Sequence, residues 1–419
     1  MRIFYGWWIV VACLVAALFG NALGLFGAGV YLHTAVEARQ WSVASISGAA
    51  TLFYLVSAVL LIPVGSWIAR DGPRRAMTAG GLALFCGVVG IGRADQIWQA
   101  YAAFLALGVA WACLSTTAVA TTLAPWFERH QGRAISIASL GASAGGMIGA
   151  PVLVYGISQI GFSATTLAAG SIGLVTIVSL AGFVLRRRPQ DMGLFPDGDT
   201  AEKVHLRDRA IWNRGDALRT CALRSVVAAF GLGMMVQIGY LTHQVTMAAP
   251  VLGTAGASVV VSVAAVAALC GRLLLVQFAD RVNQRMTACG VLLLAAAALS
   301  VLAWRRDPVV VVLANAVFGL TVGNVTTLSA IIVRREFGPA SFGPVFGMAS
   351  CGIQLVAALG PGFYGILHDA FGSYSPPLLL AAVLDVAAAA SIMACWRKQD
   401  PATLSAGTGH GQVEDGANA

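Results

Sequence analysis

Residues 259–278 read VVVSVAAVAALCGRLLLVQF. As a helix rising about 1.5 Å per residue, this run is about 30 Å long, the thickness of the hydrocarbon core of a bilayer. Its single charge is Arg272. A guanidinium at bilayer depth is costly unless it faces a polar cavity, so such residues mark substrate or ion pathways; the bland alternative is a long stem that snorkels to the headgroups. The following Ala279-Asp280-Arg281 reads as the membrane exit. It lies eight residues, or about 12 Å, beyond Arg272, against a hydrocarbon half-thickness of about 15 Å, so snorkelling is strained and a cavity-facing role is favoured.

The rest of the chain has the same character. Hydrophobic residues make up 58% and charged residues 11%, and mean hydropathy is +0.80, a balance that no water-exposed surface tolerates. Apolar runs between charged or Pro/Gly breaks fall near 7–32, 44–69, 76–93, 97–124, 133–158 and 164–185, then 221–248, 256–278, 287–304, 308–333, 343–367 and 376–396. This predicts an all-α membrane protein of twelve transmembrane helices, six in each half. The first run has no cleavage site after a short core and is expected to stay as a helix. The eight cysteines form no CxxC and no paired spacing. They are expected to be packing residues, with no disulfide framework and no metal site.

Between the halves, residues 186–219 are rich in Arg, Asp and Gly and read as a solvated linker with at most one short amphipathic helix. The implied units are 1–185, the linker 186–219, 220–398, and a disordered tail 399–419. Placing both termini in the cytoplasm puts Arg70, Arg74, Arg75, Arg129, Arg133, Arg186 to Arg188, Arg281, Arg285, Arg334, Arg335, Arg397 and Lys398 on one side. The other side keeps Arg39, Arg93, Arg305 and Arg306. Topology and anionic lipid thus account for the net charge of +8, which gives no support to nucleic-acid binding.

The halves echo each other at an offset of 211. Ala69, Arg70 and Arg74 recur as Asp280, Arg281 and Arg285, while Gly132, Gly141 and Gly149 recur as Gly343, Gly352 and Gly360. A looser echo pairs Tyr31-Leu32-His33 with Tyr240-Leu241-Thr242-His243. Parallel six-helix repeats place a binding site near the midplane between two bodies that rock to open it to either side.

The loop after the second span, Gly65-Ser66-Trp67-Ile68-Ala69-Arg70-Asp71-Gly72-Pro73-Arg74-Arg75, resembles the major facilitator superfamily signature G-x-x-x-D-R-x-G-x-R-R. The resemblance extends over essentially the whole chain. It implies the fold of two six-helix bundles and a conformational latch made by Gly65, Arg70, Asp71, Gly72 and Arg74, and by Asp280, Arg281 and Arg285 in the second copy. There, acids and arginines would hold neighbouring helix ends together in one transport state. Ala69 stands where the acid belongs, so Asp71 is an imperfect substitute, and the second copy has Asn283 in place of the glycine. The plainer alternative is that these are loop charges obeying the inside-positive bias.

Within that superfamily three stretches resemble the monocarboxylate transporters and the related bacterial oxalate/formate exchangers. They are Tyr5-Gly6-Trp7; Trp126-Phe127-Glu128-Arg129 through Ala134, Ala138, Gly141 and Gly145; and Arg272 with Gly365 to Asp369 and Gly372-Ser373-Tyr374. The resemblance implies a substrate arginine at Arg272. It also implies a multi-pass location in the inner (plasma) membrane of a bacterium. Proton-coupled members carry an acid four residues before that arginine and a lysine in the first span, where this chain has Ala268 and Phe26, so that pair is absent. Gly132, Gly141, Gly145, Gly146 and Gly149 also resemble an antiporter pattern in the fifth span, which glycine-rich packing explains equally well.

Other polar residues within spans are His33 and His243, which can bind a carboxylate or carry a proton, and Tyr31, Tyr240, Asn324 and Gln354, which can donate hydrogen bonds to a substrate or between helices. Asp385, midway along the last span, has no cation in reach by sequence. No phosphate-binding loop, nucleophile or metal constellation occurs, so neither an enzyme nor ATP-driven transport is expected and no cofactor is implied. The sequence therefore predicts a secondary transporter, expected to be monomeric. It would move a small organic anion, a monocarboxylate or short dicarboxylate, driven by a proton or an exchanged anion. The alternatives are an exporter of apolar or cationic compounds on the same fold, and a membrane sensor that transports nothing.

Overall fold

The computed structural model describes residues 4–127, 130–185, 189–198, 212, 214–278, 283–305 and 307–395. Among these, eleven helices are long and apolar enough to cross a bilayer. They are α1 (Gly6–Arg39), α2 (Val43–Asp71), α3 (Pro73–Gly92), α4 (Ile97–Leu123), α5 (Arg133–Ile160) and α6 (Phe162–Phe183), then a long segment from Cys221, α9 (Gln284–Trp304), α10 (Pro308–Gly338), α11 (Val345–Phe371) and α12 (Ser375–Ala394). The long segment, Cys221–Phe278, leaves helical geometry at Gly253, where φ is 71° and ψ 166°. Gln244 before that point donates to the carbonyl of Val260 after it at 3.4 Å, so the chain folds back and the segment counts as two helices, α7 (221–252) and α8 (254–278). The φ of Gly253 is one that a side chain resists and glycine accepts. The result is twelve spans in two six-helix bundles, with no strand among the described residues.

Small residues set how closely these helices approach. A methyl at Gly141 would stand 1.9 Å from the Leu14 carbonyl oxygen, one at Gly145 2.6 Å from that of Leu18, and one at Gly149 2.7 Å from Ala22 Cα. The glycines at four-residue spacing on α5 therefore form a groove that receives the α1 backbone. That contact gives Gly141, Gly145 and Gly149 of the antiporter-like set a packing role. In the second half Gly360 of α11 lies against the Met235 carbonyl of α7 at 2.2 Å by the same measure, and Gly271 of α8 against Leu320 of α10.

The structure corrects two expectations. Cys221 and Cys395 form a disulfide, with Cα atoms 5.9 Å apart and a sequence separation of 174. Spacing hid it because the two residues meet only when the first and last helices of the second half pack together. The described part of the linker is also more structured than expected: Pro189–Met192 and Pro196–Gly198 form 3-10 turns and Arg214–Arg219 a short helix. Asp197 donates its N–H to the Trp126 carbonyl at 3.0 Å and its carboxylate accepts from His130 Nδ1 at 3.0 Å. Trp212 donates its N–H to Ser341 Oγ at 3.1 Å. The linker is thus tied to the first half at one end and to the second at the other. The tail 399–419 lies outside the described residues.

Candidate functional site

Arg272 projects from α8 across α10 at a point where α10 has no side chain. A methyl at Gly323 would fall 2.5 Å from Arg272 Cγ, and Arg272 Nε donates to the Gly323 carbonyl at 3.4 Å. The side chain is only partly buried. None of the ion pairs between described residues includes it, so most of its five donors remain available. Next along α10, Asn324 uses Nδ2 on the Leu320 carbonyl at 3.0 Å, while its buried Oδ1 has no partner. Gln354 on α11 is half-buried. These polar groups come from three helices of the second half.

From the middle of the bundle toward the side opposite the chain ends, four hydrogen bonds between described residues join the halves. Ser262 Oγ donates to the Met147 carbonyl at 2.5 Å, the Gly362 N–H to Thr51 Oγ1 at 2.8 Å, and the Ala44 N–H to Asp369 Oδ2 at 2.9 Å. His243 makes the fourth, with Nε2 3.1 Å from Ser47 Oγ and 3.1 Å from the Pro361 carbonyl. Ser47 already donates its proton to Val43 O at 2.5 Å. Nε2 therefore carries the hydrogen and Nδ1 accepts from the Tyr374 hydroxyl at 3.1 Å. Arg272 lies ten residues, about 15 Å, further toward the face that carries the chain ends than Ser262, below this seal.

The other residues singled out by sequence are spread more widely. Tyr240 is buried and donates to Asn315 Oδ1 at 2.7 Å, an acceptor shared with Gln244 Nε2 at 2.6 Å. These groups border a cavity of about 20 Å³ inside the second half, room for about one water. Tyr31 is fully buried in the first half near Phe162, ring centres 6.3 Å apart. His33 is buried with Nε2 3.4 Å from Glu37 one turn on. Hence Tyr31 and His33 stand apart from Arg272, Asn324 and Gln354.

The two copies of the latch motif differ. In the first, Arg70 Nε lies 3.5 Å from Asp71 with 79% of the Arg70 side chain exposed, Gly72 makes the turn at φ 86°, and nothing crowds Gly65. Arg74 Nη2 lies toward α6, 3.9 Å from where a Gly182 methyl would be. In the second, Arg285 is 4% exposed as a side chain. It donates to both oxygens of Glu336 at 2.7 and 2.9 Å, to Ser225 Oγ at 3.0 Å and to the Ile392 carbonyl at 2.7 Å, binding α7, α9, α10 and α12 together. Asp280 and Arg281 lie outside the described residues. Sequence reasoning passed over Glu336; its only signal was an acid directly after the Arg334-Arg335 pair at the end of the tenth span.

The two aromatic stretches of the first half meet as well. Tyr5 packs on Trp126 at 5.7 Å and Trp7 on Phe127 at 5.2 Å, and Arg133 lies over the Trp7 ring at 5.6 Å. Comparison with known proteins agrees with this architecture. The chain is 25% identical to mouse (Mus musculus) monocarboxylate transporter 11 over 405 residues, covering 90% of this chain and 84% of that protein. Its fold is similar to crystal structures of a bacterial homolog of the human lysosomal transporter Spinster. The inward-facing, unoccupied form matches with a TM-score of 0.73 at 15% identity over 95% of this chain and 98% of that one. The inward-facing, occupied form gives 0.69 at 14% identity over 94% and 96%. The family model for the Major Facilitator Superfamily matches residues 13–304 and 227–416. With that match over nearly the whole length, and with twelve spans in two repeated bundles, the chain belongs to the Major Facilitator Superfamily and is a membrane transporter, not an enzyme.

Proposed function

We propose that the protein is a secondary active carrier of a small organic anion, a monocarboxylate or short dicarboxylate, working by alternating access. The observation that carries this is Arg272: a partly buried guanidinium, unpaired with any described acid, below the interhelical seal and flanked on α10 by an amide oxygen without a partner. A planar guanidinium fits a carboxylate through two parallel hydrogen bonds. Asn324, directly after Gly323 on α10, and Gln354 on α11 are the residues we assign to further polar contacts with the ligand. The likeness to a monocarboxylate transporter supports this substrate class.

On the arginine bias we read the face with the chain ends as cytoplasmic, and on that reading the described conformation is closed to the outside. On that orientation the Cys221–Cys395 bond borders a compartment that reduces disulfides. Maleimide labelling with and without a membrane-impermeant quencher tests both points. Protection by a quencher supplied outside the cell would reverse the orientation.

Uptake of labelled organic acids into proteoliposomes tests the function. Arg272→Ala should abolish it while leaving the helices folded, because removing a costly charge need not destabilise the bundle. Arg272→Lys should lose much of it although the charge is kept. Near-normal organic-acid transport by stable Arg272→Ala protein would reject the anion-carrier assignment, whereas an exporter of apolar compounds would retain its activity in that variant.

A further inference from the structure

Asp385 stands midway along α12 and is 1% exposed. Neither carboxylate oxygen has a hydrogen-bond partner, and no ion pair between described residues includes it. Its surroundings come from the rest of the second half. A methyl on Gly233 of α7 would lie 3.9 Å from Oδ1, 2.7 Å from Leu292 of α9 and 3.9 Å from Val325 of α10. Leu292 also packs with Ala388 and Ala389 of α12. From α11, the Tyr364 ring lies against α7 six residues beyond Gly233, 2.6 Å from where a Gly239 methyl would be, within electrostatic range of Asp385. Its hydroxyl is likewise buried and without a partner. Tyr240 of α7 is also within electrostatic range of Tyr364, with its own hydroxyl given to Asn315. The arginine that reaches α12, Arg285, binds the Ile392 carbonyl seven residues on, about 10 Å along the helix, and its charge is met by both oxygens of Glu336.

An ionised carboxylate in such a place has neither water nor a counter-charge, and a bundle does not hold one bare. A metal ion would need several more oxygen ligands than one carboxyl and one phenol provide. A proton needs none, and a protonated carboxyl beside a phenol can pair with it through a single hydrogen bond. We propose that Asp385, with the unpartnered Tyr364 hydroxyl as the donor it can recruit, is a proton-binding site of the second half whose loading is coupled to translocation of the organic anion. The proposal rests on the anion-carrier assignment above and gives that carrier its coupling ion. The acid lies on α12, away from the Ala268 and Phe26 positions where the resembling family's proton-coupling pair is absent.

The link from this site to the transport cycle is short. The Tyr364 ring stacks on His243, centres 5.7 Å apart and planes within 21°. His243 in turn is the side chain of the second half that binds Ser47 of the first. When Asp385 gives up its proton, the carboxylate becomes an acceptor only, and the Tyr364 hydroxyl is its available donor. The pull on Tyr364 then acts on the ring that supports the His243–Ser47 contact, so proton loading and outer closure share one physical element.

Reconstituted protein separates the outcomes. In Asp385→Asn, which keeps the shape of the side chain but cannot release a proton, exchange of labelled for unlabelled organic anion should persist. Accumulation driven by an imposed pH gradient should fall to the background of empty vesicles. Tyr364→Phe should retain accumulation with its dependence on pH displaced. Gradient-driven accumulation by Asp385→Asn at the wild-type rate would overturn the proposal. So would wild-type anion transport without proton movement into a dye-loaded lumen, although the carrier itself would then stand. If wild-type protein moves no organic anion, the carrier assignment fails. Infrared difference spectra between acidic and alkaline buffer then decide the site alone: a buried carboxylic-acid band lost in Asp385→Asn supports it, and an unchanged band rejects it.

Discussion

The two halves share a scaffold and divide the chemistry unequally. In each, the fifth helix of the repeat lies against the first through the equivalent glycine: Gly149 on Ala22, and 211 positions later Gly360 on Met235. Their buried polar residues differ. Among described residues, the first half buries no Asp, Glu, Lys or Arg, whereas the second buries Arg285 and Asp385 and partly buries Arg272 and Glu336. Repetition thus preserved the backbone contacts that let helices approach. Charge, which costs most in a bilayer, is concentrated in the half that the proposed mechanism uses.

The largest expected effect breaks this comparison at the latch. Arg285→Met leaves Glu336 buried without its counter-charge and should destabilise the second half by about 3–5 kcal/mol. Arg74→Met, the position 211 residues earlier but exposed, should change stability by no more than about 0.5 kcal/mol. Thermal unfolding in detergent measures both. The double variant Arg285→Met with Glu336→Leu should recover much of the loss, since an apolar replacement of a buried pair is often neutral. Equal losses in Arg285→Met and Arg74→Met would mean that the halves are held alike.

A smaller effect sharpens the shared part. At Gly360 an added methyl meets a backbone carbonyl at 2.2 Å, and at Gly149 it meets Ala22 Cα at 2.7 Å. Both alanine variants should lose about 1–3 kcal/mol, Gly360→Ala the more. Gly290→Ala, with nothing within 4 Å, should instead gain up to about 1 kcal/mol from helix propensity. Melting temperatures of the three variants give the ordering. Tolerance of alanine at both Gly149 and Gly360 would show that the repeated glycines do not set helix spacing.

How much of this the sequence revealed depends on the range of the interaction. Helix number and the six-and-six division were legible because bilayer thickness acts on contiguous residues. Arg272 stood out for the same reason, a lone charge in an apolar run. Contacts between distant segments were not legible. Glu336 looked like one more loop charge until α9 and α10 brought it to Arg285, 51 residues away. Cys221 and Cys395 paired across 174 residues. His243 suggested substrate or proton chemistry, yet its bond to Ser47 depends on how the two bundles meet, which no local pattern encodes.

The smallest effect tests whether contacts between halves act on conformation while contacts within a half act on stability. Ser47→Ala removes the bond from His243 but leaves Nε2 the Pro361 carbonyl and Nδ1 the Tyr374 hydroxyl, so no buried group loses its last partner. The loss should be about 1 kcal/mol, and it should fall on the outer-closed state alone because the bond exists only when the halves are together. That shifts the ratio of outer-closed to outer-open molecules about fivefold with little change in melting. Spin labels at Ala38 and Phe371, both exposed and on opposite halves near the sealed face, would report the shift as growth of a longer-distance population. Ser262→Ala, which removes the bond to Met147, should act in the same direction. If Ser47→Ala instead lowered the melting temperature as much as Gly360→Ala while the distance distribution stayed fixed, the His243 contact would belong to the scaffold rather than to the moving interface.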